Sequence, residues 1–182
     1  FCASDYQPPV AADRYATLQQ GTLAACYQAG GGKIVVWKEP GVSLSSCVDH
    51  NTGQRGHQQH LVDVQFASGH DAKFWVNHPG EAEPGGEQRP SYWSGNGVLP
   101  RVMQVENRTL QLYQLAEDDP FPWTHLYLPA EAFDQVITTS HGCLIRAGNA
   151  FAAIGCSTPL CAVTTGMTAG NEYRAKAHRV AW

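Results

Sequence analysis

Between His57 and Pro79 apolar and polar residues alternate with a period of two, and the alternation continues through an apparent turn at Ser68-Gly69-His70. Because successive side chains of a strand point to opposite faces, this pattern predicts two half-buried strands joined as a hairpin. A three-residue loop, with Gly69 supplying an unusual backbone angle, pairs positions whose numbers sum to 138. Phe66 then opposes Ala72, Val64 opposes Phe74, Val62 opposes Val76 and His60 opposes His78, all on one face. The other face carries Leu61, Asp63, Gln65, Lys73, Trp75 and Asn77 and is expected to be mainly solvated. A slip of one residue would exchange the two sets.

Other segments carry the same kind of signal more briefly. Lys33-Ile-Val-Val-Trp-Lys38, between Gly30-Gly31-Gly32 and Glu39-Pro40-Gly41, is rich in β-branched and aromatic residues and predicts a buried strand. Met103 and Val105 can pair with Leu112 and Leu110 across a turn at Asn107-Arg108. Trp123 to Leu128, and Cys143 to Ile154 folded at Gly148, add further strands. Many short strands separated by turn signals predict an all-β fold, an antiparallel β-sandwich with long loops. Residues 1–20 contain the one stretch of passable helix propensity, after Pro8-Pro9, and predict an extended arm with at most one short N-terminal helix. Residues 80–97 form a loop rich in Gly, Pro and Glu, whose second half contains Tyr92-Trp93. Loops of that length inside a domain tend to be functional or disordered, and the aromatic pair argues against disorder there.

The chain has 182 residues, enough for one domain with a sizeable core and too few for a second of ordinary size. Its 12 Lys and Arg against 16 Asp and Glu give a net charge of -4, with no run of either sign. That excludes the basic surface expected of a nucleic-acid or anionic-membrane partner. No stretch of about 18 consecutive apolar residues occurs, so no membrane insertion is expected. Six cysteines, Cys2, Cys26, Cys47, Cys143, Cys156 and Cys161, predict up to three disulfides and an oxidising, secreted location. Six allow about 15 connectivities, among which Cys156 with Cys161 would close a small loop; buried free thiols are the competing reading. A first residue Phe1 in place of Met fits a mature chain after removal of an export signal, or a fragment. Asn107-Arg108-Thr109 is a glycosylation sequon at a predicted turn.

A series of phrases, taken in order, ties residues 38–153 to a known family. They are Ser43-Leu-Ser-Ser-Cys-Val-Asp-His50, Gln58-Gln-His60, Val76-Asn-His-Pro-Gly80 and Arg89-Pro-Ser-Tyr-Trp-Ser-Gly-Asn-Gly-Val-Leu-Pro-Arg101. Phe121-Pro-Trp-Thr-His-Leu-Tyr-Leu-Pro129 with Phe133-Asp134, and the hairpin Gly148-Asn-Ala-Phe-Ala-Ala153, complete the set. In these the chain resembles the β-sandwich region of heparinase II/III-like polysaccharide lyases. The resemblance implies a sandwich that forms one wall of a cleft for acidic polysaccharides beside a helical toroid, in enzymes that use Tyr and His to abstract a proton next to a neutralised uronic carboxylate. The toroid is missing from this chain, and with it a share of the catalytic groups.

Several residues are of types suited to such chemistry. His60 and His78, facing one another across the hairpin, could hold a structural zinc with His125 or His50 as a third ligand. His78 and His125 could equally act as acid or base near neutral pH; the simpler alternative is a pair of hydrogen-bonded histidines at the sheet's end. His57 would fall on the opposite face from His60. Trp93, Asn96 and Arg101 suit sugar recognition, as a stacking ring, an amide for hydroxyls and a two-point grip on carboxylate. Tyr92 is a catalytic candidate if a cationic neighbour lowers its pKa. The competing reading has Tyr92 and Trp93 pinning the loop to the domain. Motifs for a serine nucleophile elbow, a phosphate-binding loop or a His-Glu-x-x-His zinc site are absent.

Two functions are therefore expected to compete. One is a secreted carbohydrate-associated domain that binds polysaccharide or another glycan and does not cleave it unaided. The other is a structural subunit of an extracellular assembly, in contact with copies of itself or with a separate helical domain, where the arm Phe1 to Val10 with Cys2 docks on a neighbour's sheet edge.

Overall fold

In the computed structural model, residues 21–26, 33–56, 60–163 and 171–177 are described. The arm expected at 1–20, with at most a short helix and with Cys2, lies outside the described residues, as does His57. The regular secondary structure of the described chain is almost all antiparallel strand, as predicted, with one 3-10 turn at Ala130–Ala132. The strands are β1 (Gly21–Cys26), β2 (Lys33–Glu39), β3 (Val42–Val48), β4 (Val62–Phe66), β5 (Lys73–Asn77), β6 (Arg101–Val105) and β7 (Arg108–Leu112). Then follow β8 (Trp123–Tyr127), β9 (Gln135–Thr139), β10 (Gly142–Ala147), β11 (Ala150–Gly155), β12 (Leu160–Val163) and β13 (Glu172–Lys176). An eight-stranded sheet runs in the order β1-β2-β3-β4-β5-β8-β13-β12, beside a three-stranded sheet β11-β10-β9 and the two-stranded hairpin β6-β7.

The core lies between the large sheet and the two small ones. Leu44, Val62, Val64, Phe66, Phe74, Leu126 and Leu128 from or beside the large sheet meet Val102 of β6 and Cys143, Ile145, Ala147 and Ala150 of β10 and β11. Phe133 closes this contact against Phe66 edge-on, with ring centroids 5.4 Å apart. Alternation in β4 supplies the reason: Val62, Val64 and Phe66 are buried and Asp63 and Gln65 are not. The β10-β11 turn lies where Gly148, at φ 58, accepts a left-handed angle that a side chain would resist.

The β4-β5 register agrees with the periodicity, Val64 pairing with Phe74 and Asp63 with Trp75. Three expectations are corrected. The loop spans residues 67–71, since the Phe66 N–H still bonds to the Ala72 carbonyl, and Gly69 has no left-handed angle. The β6-β7 turn is Glu106-Asn107, so Met103 faces Leu110 and Val105 faces Arg108. In the Lys33–Glu39 strand only Val35 is buried.

Disulfides are also corrected. Cys47, Cys143, Cys156 and Cys161 are free thiols; the side chain of Cys26 lies outside the described residues. Cys156 follows β11 of the three-stranded sheet, Cys161 lies in β12 of the eight-stranded one and both are free, so the proposed small loop is not closed. Cys143 and Cys156 are neighbours, but burial pushes both thiols up, Cys143 to about 12. Protonated thiols are poor partners in exchange.

Candidate functional site

The outer face of the large sheet is not the solvated surface that alternation suggests. Register places Trp75 beside Tyr127 and Asn77 beside His125. It then places Glu172 beside Tyr127 and Arg174 beside His125. Loop 80–97 folds back over this row and is held by its side chains. Trp75 Nε1 donates to the Trp93 carbonyl at 3.0 Å, and Asn77 Nδ2 donates to the carbonyls of Tyr92 and Gly95 at 3.1 and 2.8 Å. Asn77 is consequently fully buried. The loop's carbonyls are thus satisfied by strand side chains where no ladder reaches them.

Beneath the loop is a buried charged network. The Tyr92 hydroxyl donates to the Glu172 carboxylate at 2.6 Å, and Arg174 donates from Nη2 to that hydroxyl and from Nε to Glu172 Oε1, each at 2.7 Å. His125 Nδ1 lies 3.1 Å from the same Oε1 and donates to it. The His125 ring is stacked on Trp93, centroids 4.7 Å apart and 4° from parallel, and the Arg174 guanidinium lies 3.8 Å above the Trp123 ring. Burial works against the Glu172 charge, but hydrogen bonds from His125, Tyr92 and Arg174 prevail and hold its pKa down to about 2. The same burial lowers the His125 pKa, with Glu172 opposing, so the ring is neutral and its buried Nε2 is without a hydrogen-bond partner.

Tyr92 is corrected as a proton-transfer candidate. Burial and its bond to Glu172 push its pKa up despite Arg174, and the side chain is buried. It pins the loop, as does Trp93, which keeps a half-buried ring. Asn96 is buried too, its Oδ1 accepting from the His78 backbone N–H and the Tyr113 hydroxyl at 3.0 and 2.9 Å. Arg101 stands exposed at the start of β6, in a different sheet.

The three histidines expected to share a metal are in three settings. His60 leaves the strand register and turns to the outer face, stacked on Trp75 at 4.3 Å with Nε2 2.8 Å from the Trp93 carbonyl and Nδ1 3.1 Å from Asp63. His78 follows β5, its Nε2 donating toward the Phe121 carbonyl at 3.0 Å and Asp119 at 3.2 Å. His125 bonds Glu172. His50, the other possible ligand, is paired with Asn51 at 3.4 Å. Among the described residues no three His, Cys, Asp or Glu side chains converge as a metal site, so the zinc set is not assembled.

His78 borders a second feature, a cavity of about 350 Å³ lined by Arg55, Glu81, Asp119 and Phe121 among others. Burial lowers the His78 pKa, Asp119 partly offsetting it, so the ring is neutral. With its hydrogen on Nε2, Nδ1 is a lone pair, and it is buried without a partner, as is Glu81 Oε1. Gly97 is required here, since a β-carbon would lie 2.8 Å from Nδ1.

Sequence reasoning missed Glu172 and Arg174. Their strand, Glu172-Tyr-Arg-Ala-Lys176, does alternate, but in charge against a small apolar set, which does not stand out as strand. No helix among the described residues is long and apolar enough to cross a membrane. No protein-family model, curated protein or solved structure matches the chain.

Proposed function

We propose that this chain is a carbohydrate-associated β-sandwich module that binds glycan across the outer face of its large sheet and does not cleave it unaided. The observation that carries the reading is Arg174. Its guanidinium is held over the Trp123 ring by Glu172 and Tyr92, with 32% of the side chain open to solvent. Nη1 takes no part in those bonds, so a preorganised donor edge is left for a sugar carboxylate. Half-buried rings of Trp93, Trp123 and Tyr127 beside it suit a pyranose face. The resemblance to heparinase II/III-like lyases agrees with an acidic polysaccharide. Unaided elimination is not part of the reading, because Tyr92 is buried with a raised pKa. An extracellular placement goes with it: Asn107 stands exposed at the β6-β7 turn, where a glycan meets no steric obstacle.

The test is calorimetric titration of the full chain with uronate-containing and neutral oligosaccharides. Arg174→Lys keeps the charge and loses the fork, and is expected to weaken uronate binding about tenfold while leaving neutral glycans unchanged. Equal affinity in both proteins, or no glycan binding, overturns the proposal. The structural-subunit reading is favoured by one observation, the exposed row Met103, Val105, Leu110 and Leu112 on one face of the β6-β7 hairpin. Light scattering that returns a defined oligomer alongside absent glycan binding would favour it.

A further inference from the structure

Three histidines hold loop 80–97 against the outer face, and they differ in what an added ring proton would meet. His60 turns one ring nitrogen to the Trp93 carbonyl and the other to the Asp63 carboxylate, so both face acceptors. His78 binds the loop through its backbone, to Asn96 and Gly97, and its ring faces Asp119. His125 differs from both. Its carboxylate, Glu172, is already bonded by Tyr92 and Arg174, and Nε2 is buried without a partner.

The groups facing the His125 ring are Tyr92 and Trp93 from the loop, Trp123 from its own strand, and Glu172 and Arg174 from β13. One carboxylate against one guanidinium makes this set neutral as it stands. A proton on Nε2 would leave that carboxylate between two cations, with the His125 side chain 0% exposed and no water to spread the excess charge. The Tyr92 carbonyl favours the charged ring as Glu172 does, but it is already taken by Asn77 Nδ2 at 3.1 Å. On the loop side the ring is closed by Trp93 lying parallel to it and by Tyr92 standing edge-on at 4.7 Å.

We infer that His125 is an acid-sensing latch: when it takes up a proton, loop 80–97 lifts from the sheet and carries Tyr92 and Trp93 away from Arg174. That acid thereby weakens sugar binding rests on the glycan reading; the lifting itself is read without ligand. Once uncovered, the ring regains its ordinary value of 6.5, so opening is favoured about tenfold more for each pH unit below that. Down to pH 4.5 Glu172 stays ionised whether covered or not, which leaves the histidine as the group that changes in this network.

Hydrogen exchange of the full chain, resolved to single amides by NMR and corrected for the intrinsic pH dependence of exchange, provides the test. The Gly80 and Gly97 N–H groups, bonded to the Ser91 and His78 carbonyls, report the loop, and the amides of β10 and β11 report the whole fold. From pH 6.5 to 4.5 opening at the loop amides should rise about a hundredfold, in step with protonation of the His125 ring followed by its carbon-bound protons. His125→Gln takes no charge and should flatten that rise, whereas His78→Gln should leave it. A His125 ring that titrates under a loop still protected overturns the inference in the unsubstituted protein, whether or not the variants fold. So does unchanged loop protection, exchange of loop and β10-β11 amides at one rate, or a rise that persists in folded His125→Gln. If acid lifts the loop but no uronate oligosaccharide binds at neutral pH, the glycan reading falls and the latch stands. If uronates bind through Arg174 and the loop stays closed in acid, the latch falls alone.

Discussion

On the inner face of the eight-stranded sheet Val64, Phe74 and Leu126 pack against the small sheets. One residue along on the same strands, Trp75, His125 and their neighbour Glu172 face the opposite way, under a loop. Both faces hold buried residues, but different forces bury them. The inner face is held by apolar area, which is non-directional, so what it requires is volume. The outer face is held by hydrogen bonds among charged and aromatic groups, whose geometry has to be met atom by atom. A face with buried residues can therefore tolerate change or forbid it depending on what fills it.

The comparison breaks most clearly at Glu172. Glu172→Gln removes the charge from a buried carboxylate that receives Tyr92, Arg174 and His125, leaving the guanidinium short of its partner. Losing one member of a buried pair costs on the order of 3–5 kcal/mol, which denaturant unfolding of the variant should show.

Acid sharpens it next. The Glu172 pKa is depressed from 4.5 to about 2. Its contribution is therefore present above pH 4.5 and is lost as pH falls from there toward 2. His78 and His125 are depressed from 6.5, so the unfolded chain takes up protons that the folded one refuses, and stability begins to fall below pH 6.5. Denaturant midpoints measured across that range should be level above pH 6.5 and decline below it, with the lowest limb flattened in Glu172→Gln.

The smallest effect is expected on the inner face. Leu126→Met, at a position 2% exposed, conserves volume and should cost less than about 1.5 kcal/mol by the same unfolding measurement. A cost equal to that of Glu172→Gln would erase the distinction between the faces.

Alternation in the chain was enough to assign the all-β class, the β4-β5 register and the β10-β11 hairpin, because each depends on neighbours close in sequence and on a period of two. It also singled out Tyr92, Trp93 and His125 by type. Their roles were not legible, since a loop that covers a sheet face turns a solvated pattern into a buried one without changing a residue. Asn77, His60 and Tyr92 were decided in that way. Glu172 reaches Tyr92 across 80 positions, and no local period encodes a contact of that span. What the sequence by itself determined is which strands form and which residues share a face. Only the tertiary structure decided what covers each face, because covering depends on long-range packing, and with it the charge and accessibility of every group at the site.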